Sequence, residues 1–172
     1  MFVTGSGGAV SLVFFSLCGV SLAWAGHRTR ELRRAAGGCA LQSMEVARYQ
    51  VMSPREFEEA IAYLWRRDGC PDARVVGGAG DLGADIIAIA PDGRRIVIQC
   101  KRYGPTMKVG SPDLHRVGGT GFTIHGAHVA TVVTTNVFTA PAPGYTTQHR
   151  IRRVGEHALA ASASRTGPAP WM

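Results

Sequence analysis

Gly80-Asp81-Leu82-Gly83-Ala84-Asp85-Ile86-Ile87-Ala88-Ile89-Ala90-Pro91-Asp92-Gly93-Arg94-Arg95-Ile96-Val97-Ile98-Gln99-Cys100-Lys101-Arg102-Tyr103 is the stretch that decides the fold. Asp92-Gly93 between two β-branched runs signals a hairpin, because a tight turn needs a residue at ease with positive φ. A turn centred on that pair sets Asp85 across from Cys100, within one residue of register, and flanks it with Gln99 and Lys101. Strand side chains alternate, so Gln99 and Lys101 share a face. A carboxylate, an amide oxygen and an ammonium then meet at one end of the hairpin.

Such a meeting has a chemical use. A hard divalent cation takes oxygen ligands, commonly one or two carboxylates completed by water and substrate phosphate oxygens. Asp85 and the Gln99 carbonyl can supply them, while an ammonium at Lys101 can orient an attacking water and stabilise charge developing on a phosphate. The plainer reading is that Asp85 and Lys101 are ordinary surface residues at strand ends. Gly78-Ala79-Gly80-Asp81-Leu82-Gly83 also fits G-x-G-x-x-G, but a dinucleotide site needs a helix next. The chain runs instead into a short β-branched segment that ends at Pro91, so that reading is rejected. The glycines, Gly80 among them, are better read as turning the backbone tightly and letting a phosphodiester approach Asp85.

Upstream, Ser53 can cap a helix with Pro54 at its first position and Glu56 closing a capping box. Phe57, Ala60, Ile61 and Leu64 recur at helical spacing and Gly69 lies just past the end, which predicts a helix over 54–67. Glu58 falls at the border of its buried stripe. Further motifs stand in order along the chain: Ser53-Pro54-Arg55-Glu56-Phe57-Glu58, Gly77 through Asp85, Gln99-Cys100-Lys101-Arg102-Tyr103, and Val132-Val133-Thr134-Thr135-Asn136-Val137-Phe138-Thr139. From Met52 to about Val137 the chain resembles the catalytic domain of Mrr-type restriction endonucleases, within the PD-(D/E)xK nuclease superfamily. The resemblance implies a restriction-endonuclease-like α/β sandwich with a mixed central sheet flanked by helices. It further implies a Mg²⁺ (or Mn²⁺) site formed by Asp85, Gln99 and Glu58, with Lys101 completing the catalytic set. Gln99 stands where the superfamily commonly has Glu, which removes a charge and makes Glu58 matter more. DNA is the implied substrate, with Lys101, Arg102 and Gly80 expected to meet its backbone. On this reading, replacing Asp85 or Lys101 by alanine abolishes cleavage and leaves the fold intact.

A different kind of sequence precedes this domain. Residues 7–26 carry no charge and are strongly apolar, about the length needed to cross a bilayer. A signal peptide is the rival, given Ala23-Trp24-Ala25, but the basic residues lie on the far side, at Arg28, Arg30, Arg33 and Arg34. That asymmetry predicts a single-pass anchor in the cytoplasmic membrane with the catalytic domain in the cytoplasm. The formal charge is +7, yet residues 28–48 hold five Arg against two Glu, so part of the basic balance belongs to membrane orientation rather than to nucleic-acid binding.

The expected organisation is a short N-terminus (1–6), a transmembrane helix (7–26), a basic juxtamembrane linker (27–50), the nuclease-like domain (51–160) and a disordered tail (161–172). Within the domain the order is helix 54–67, strand 73–76, hairpin 84–101, helix from 112, strand 127–135, helix 142–148 and strand 151–154. The cysteines, Cys18, Cys39, Cys70 and Cys100, lack metal-ligand spacing and read as reduced thiols. Two other classes stay open, a catalytically silent DNA-binding module and a membrane-associated scaffold. A homodimer is expected only if both strands of a duplex are cut.

Overall fold

Ser53 begins the described domain's best-defined helix in the way its sequence requires. Its hydroxyl accepts from the Glu56 amide at 3.3 Å, and the Glu56 carboxylate accepts from the Ser53 amide at 2.7 Å. These bonds satisfy helix-end donors that have no partner within the helix. The computed structural model describes residues 38, 42–78, 80 and 82–172, of which Gln42–Met172 form one compact unit. Residues 42–50 are helical (α1), followed by α2 at Pro54–Arg67. Strand β1 (Arg74–Val75), β2 (Ile86–Ile89) and β3 (Arg95–Lys101) come next, then α3 (Ser111–Thr123), β4 (Val129–Thr134), α4 (Ala142–Gln148), β5 (Ile151–Val154) and α5 (Glu156–Ala163).

The five strands lie in chain order, β1-β2-β3-β4-β5. The first three pair antiparallel and the last two join parallel, with α3 and α4 carrying the chain between parallel neighbours, so the sheet is mixed. One face, with Ile86, Ala88, Ile96, Ile98, Val133 and Val154, packs on Phe57, Ile61 and Trp65 of α2 and Leu159 of α5. The other face presents Ala130, Val132 and Ile151 to Leu114 and Val117 of α3. Apolar residues on both faces of β3 and β4 are what a sheet covered on both sides demands.

The hairpin differs from expectation by one residue. Ala90 and Arg94 close the loop, the Ala90 amide bonding the Arg94 carbonyl at 2.9 Å, so Pro91, Asp92 and Gly93 all lie within it. Gly93 takes φ +84°, the left-handed position of a three-residue loop. The extra loop residue moves the register, and Ile86 pairs with Ile98. Asp85 therefore comes opposite Gln99 rather than Cys100.

Two boundaries also change. The stretch 42–50, expected within a linker, is helical and buries Val46 and Tyr49, whose ring meets that of Phe57 edge-on at 5.9 Å. The tail expected to be disordered is ordered by contacts its composition does not advertise. Arg67 donates to the Ser162 and Ala163 carbonyls at 2.6 and 3.2 Å, tying the end of α5 to the end of α2. Trp171 packs on the core and donates to the Asp68 carbonyl at 2.6 Å. The proposed anchor, residues 7–26, lies outside the described residues, among which no helix is long and apolar enough to cross a membrane.

Candidate active site

The open end of the β2–β3 hairpin gathers the predicted groups. Asp85 is 6 % exposed, and its Oδ2 accepts from Gln99 Nε2 at 2.5 Å and from the Cys100 backbone amide at 2.6 Å. Its backbone is pinned as well, its amide donating to the Ile98 carbonyl at 3.0 Å and its carbonyl accepting from Val76 and Gly77 at 2.8 and 3.1 Å. A carboxylate with two short donors and two neighbouring strands around it has little freedom to move.

Glu58 reaches the same end from α2. A Cβ at Gly77 would lie 3.3 Å from Glu58 Oε2 and 3.5 Å from Asp85 Oδ1, so both carboxylates border one small space that a side chain there would fill. Arg55 Nη1 lies 3.5 Å from Glu58 Oε2 and donates to the Gly77 carbonyl at 3.4 Å, placing a cation beside the pair. The combined field is felt by Cys100, whose thiol is pushed well above its ordinary range by burial first, then by Asp85 and Glu58, with Lys101 opposing.

Gln99 is also 6 % exposed, and its Oε1 has no hydrogen-bond partner among the described residues. Lys101 comes next on the same face of β3, its Nζ 3.8 Å from Asp113 Oδ1 on α3. Asp113 in turn accepts from the Tyr103 hydroxyl at 3.0 Å and from the Gly110 amide at 3.3 Å, which caps α3. Burial and Asp113 together raise the Tyr103 phenol to about 12, so it stays a donor. Asp113 was missed in the sequence, although its place three residues after Gly110 at a Ser-Pro helix start marks a capping residue.

Not every expected contact is assembled. Arg102 donates to the Gln50 carbonyl at 3.1 Å and so ties α1 to the end of β3. Gly80 sits in the turn before β2 with φ +89° and open space where a Cβ would be. Gly83 leads into β2 and not into the helix that a dinucleotide site would need, in keeping with the rejection of that reading.

Among the described residues no three His, Cys, Asp or Glu side chains cluster, so a cation held here would rely on Asp85, Glu58 and an amide oxygen from Gln99. That donor set is all oxygen and suits a hard divalent ion. The unpartnered Gln99 Oε1 is the buried acceptor with coordination to spare, although it presently faces away from Asp85.

A mixed sheet with helices on both faces, carrying an Asp and a Gln-x-Lys at the end of a central hairpin, defines a nuclease-type domain. The restriction endonuclease family model for Mrr-type catalytic domains matches residues 49–163, and the chain belongs to that family of DNA-cleaving enzymes. Solved structures that share the fold include two restriction endonucleases, each with a TM-score of 0.53. The first is the MspJI restriction endonuclease in complex with a 27-mer oligonucleotide, at 20 % identity over 77 % of this chain and 32 % of that one. The second is the DNA modification-dependent restriction endonuclease AspBHI, at 19 % identity over 78 % of this chain and 37 % of that one. The chain thus spans about a third of the length of these enzymes. No curated protein matches the sequence.

Proposed function

We propose that this protein is a Mg²⁺- or Mn²⁺-dependent DNA endonuclease that hydrolyses phosphodiester bonds with an activated water, tethered to the cytoplasmic face of a membrane by residues 7–26. The observation that carries the chemistry is the convergence of Asp85, Glu58 and Gln99 on one end of the hairpin in a chain of this family. A bound divalent cation would supply Lewis-acid polarisation of the phosphoryl oxygen. Asp85 and Glu58 would hold it, with Gln99 lending its carbonyl oxygen. Lys101 orients the attacking water and stabilises the charge that develops on the phosphate. Asp113 keeps the ammonium of Lys101 from wandering, because one of its oxygens is already fixed by Tyr103 and the other by the Gly110 amide.

Nicking of supercoiled plasmid by the purified protein, dependent on added Mg²⁺ and lost in Asp85→Asn, tests the reading. Salt-dependent DNA binding without any cleavage would point instead to a silent binding module. Linear product from single encounters would call for two sites and hence a homodimer.

The tether rests on the uncharged apolar run and the four arginines after it, Arg28, Arg30, Arg33 and Arg34. Full-length protein is expected to sediment with membranes and resist carbonate extraction. Recovery of a shortened protein outside the cytoplasm would refute the anchor and count against a role on intracellular DNA.

A further inference from the structure

Beside the proposed cation site lies a cleft of about 490 Å³ lined by Leu82, Gly83, Gln99, Arg116 and Thr120. Gln99 lines it, and the unpartnered amide oxygen of that side chain is buried behind the lining. Over Gly83, Gln99 Oε1 and Thr120 Oγ1 approach within 3.1 and 3.2 Å of where a Cβ would stand, with Arg116 Cγ at 3.5 Å. Gly83 therefore keeps the cleft open, and its φ of +87° is a second reason for glycine there. Arg116 is exposed and forms no ion pair among the described residues. A buried acceptor facing a guanidinium cleft, with its own amide nitrogen turned to a carboxylate, is an arrangement with an alternative.

A half-turn about the last bond of the Gln99 side chain exchanges its oxygen and its NH₂ group. Without a cation the present orientation is favoured, since Asp85 Oδ2 wants a donor and receives Gln99 Nε2 at 2.5 Å. A divalent cation beside Asp85 reverses that demand, because an oxygen is then wanted on the Asp85 side. Turning supplies it, and the NH₂ group swings to the cleft. The Gln99 group behind the lining changes from an acceptor, which repels a phosphate, to a donor, which binds one.

We propose that this cleft binds a DNA backbone phosphate next to the one cleaved, and that cation binding prepares it by turning the Gln99 amide. The phosphate would meet Gln99 Nε2, the Arg116 guanidinium and Thr120 Oγ1, whose hydroxyl now donates to the Arg116 carbonyl at 2.8 Å and is within reach of a better acceptor. Cation and DNA then bind cooperatively, each raising the other's affinity by the same factor. The inference rests on the endonuclease reading and adds to it a substrate subsite and a coupling.

The test measures binding of a fluorescent duplex to full-length Lys101→Ala protein by anisotropy, with and without Mg²⁺. Arg116→Gln and Thr120→Val, added to that background, are expected to weaken binding about tenfold with Mg²⁺ and less than about twofold without it. Arg116→Gln also lowers the salt slope by about one in the presence of Mg²⁺. Gln99→Glu, which keeps an oxygen for the cation but has no donor for the cleft, should lose most of the Mg²⁺-induced gain in DNA affinity. The side-chain amide resonance of Gln99 in ¹⁵N-labelled protein should shift when Mg²⁺ is added without DNA. Equal weakening by Arg116→Gln with and without Mg²⁺, or a Gln99 resonance indifferent to Mg²⁺, overturns the coupling. Unchanged binding in both cleft variants overturns the subsite. If the wild-type protein nicks plasmid while these variants behave as their parent, only this inference fails; if the wild type never nicks, the endonuclease reading fails first.

Discussion

Asp85 is a hub of the fold as well as a ligand candidate, and two substitutions separate those roles. In Asp85→Ala two donors lose their acceptor, Gln99 Nε2 and the Cys100 amide. Gln99 can turn its amide away, but the Cys100 N–H is fixed in β3 and has no such freedom. One buried unsatisfied donor costs about 1–3 kcal/mol, a sizeable part of a total stability of about 5–15 kcal/mol. In Asp85→Asn the amide oxygen can stand where Oδ2 stands and keep both the Cys100 amide and Gln99 Nε2 as donors, so the stability cost falls below about 1 kcal/mol. Both variants lose a charged oxygen from the site and should lose at least about 10² to 10³ in cleavage rate. Urea unfolding followed by circular dichroism, paired with plasmid nicking, reads the two effects separately. Alanine as stable as wild type would refute the hub, and Asp85→Asn cutting at the wild-type rate would refute the ligand. The sequence-based expectation that Asp85→Ala leaves the fold intact gains a cost in stability from this geometry, which the urea midpoint reads.

Lys101→Ala should lose about 10² to 10³ in rate with a stability change under about 1 kcal/mol, because Asp113 keeps Tyr103 and Gly110 as partners; urea midpoints and nicking rates check both halves. Trp171→Ala should cost about 1–3 kcal/mol, measured by urea unfolding, since the indole packs on the core and bonds the Asp68 carbonyl. Stability should also fall at alkaline pH. Burial, then Asp92 and Asp68, raise the Cys70 thiol to about 11 from an ordinary 9.0, so the folded state holds this proton more tightly. The associated stability is fully present below pH 9 and is lost as pH rises toward 11, which thermal melts across that window would show. Disulfide-exchange reagents should label Cys70 and Cys100 at pH 8 only after unfolding; rapid labelling of the native protein would contradict the raised thiols.

Local chemistry was the legible part of this sequence. The capping box at Ser53 and Glu56 set the start of α2, and the alternation of β3 put Gln99 and Lys101 on one face. The register missed by one residue because Asp92-Gly93 marks a turn without saying whether Pro91 belongs inside it. What stayed hidden depends on pairs far apart in the chain. Nothing near Arg67 shows that it will meet the carbonyls of Ser162 and Ala163, and nothing near Asp113 shows that Lys101 will reach it. The tail looked disordered because Ala, Pro and Gly dominate it, and a single Trp171 outweighs that composition once the end of α2 offers it a carbonyl.

The arrangement of strands in chain order divides the molecule by how far the chain must travel to close each pair. β1, β2 and β3 are neighbours in sequence and can zip quickly, whereas β4 must arrive across α3 before the second edge of β3 is covered. During synthesis the run Ile96-Val97-Ile98 therefore waits with one edge open, the kind of segment that recruits other chains. Arg94 and Arg95 precede it and Lys101 and Arg102 come after it, charges that guard such a strand against aggregation while it waits. A charge at Lys101 would then protect the nascent chain as well as take part in the proposed chemistry, and its loss should raise the insoluble share of freshly made protein while the folded fraction stays soluble.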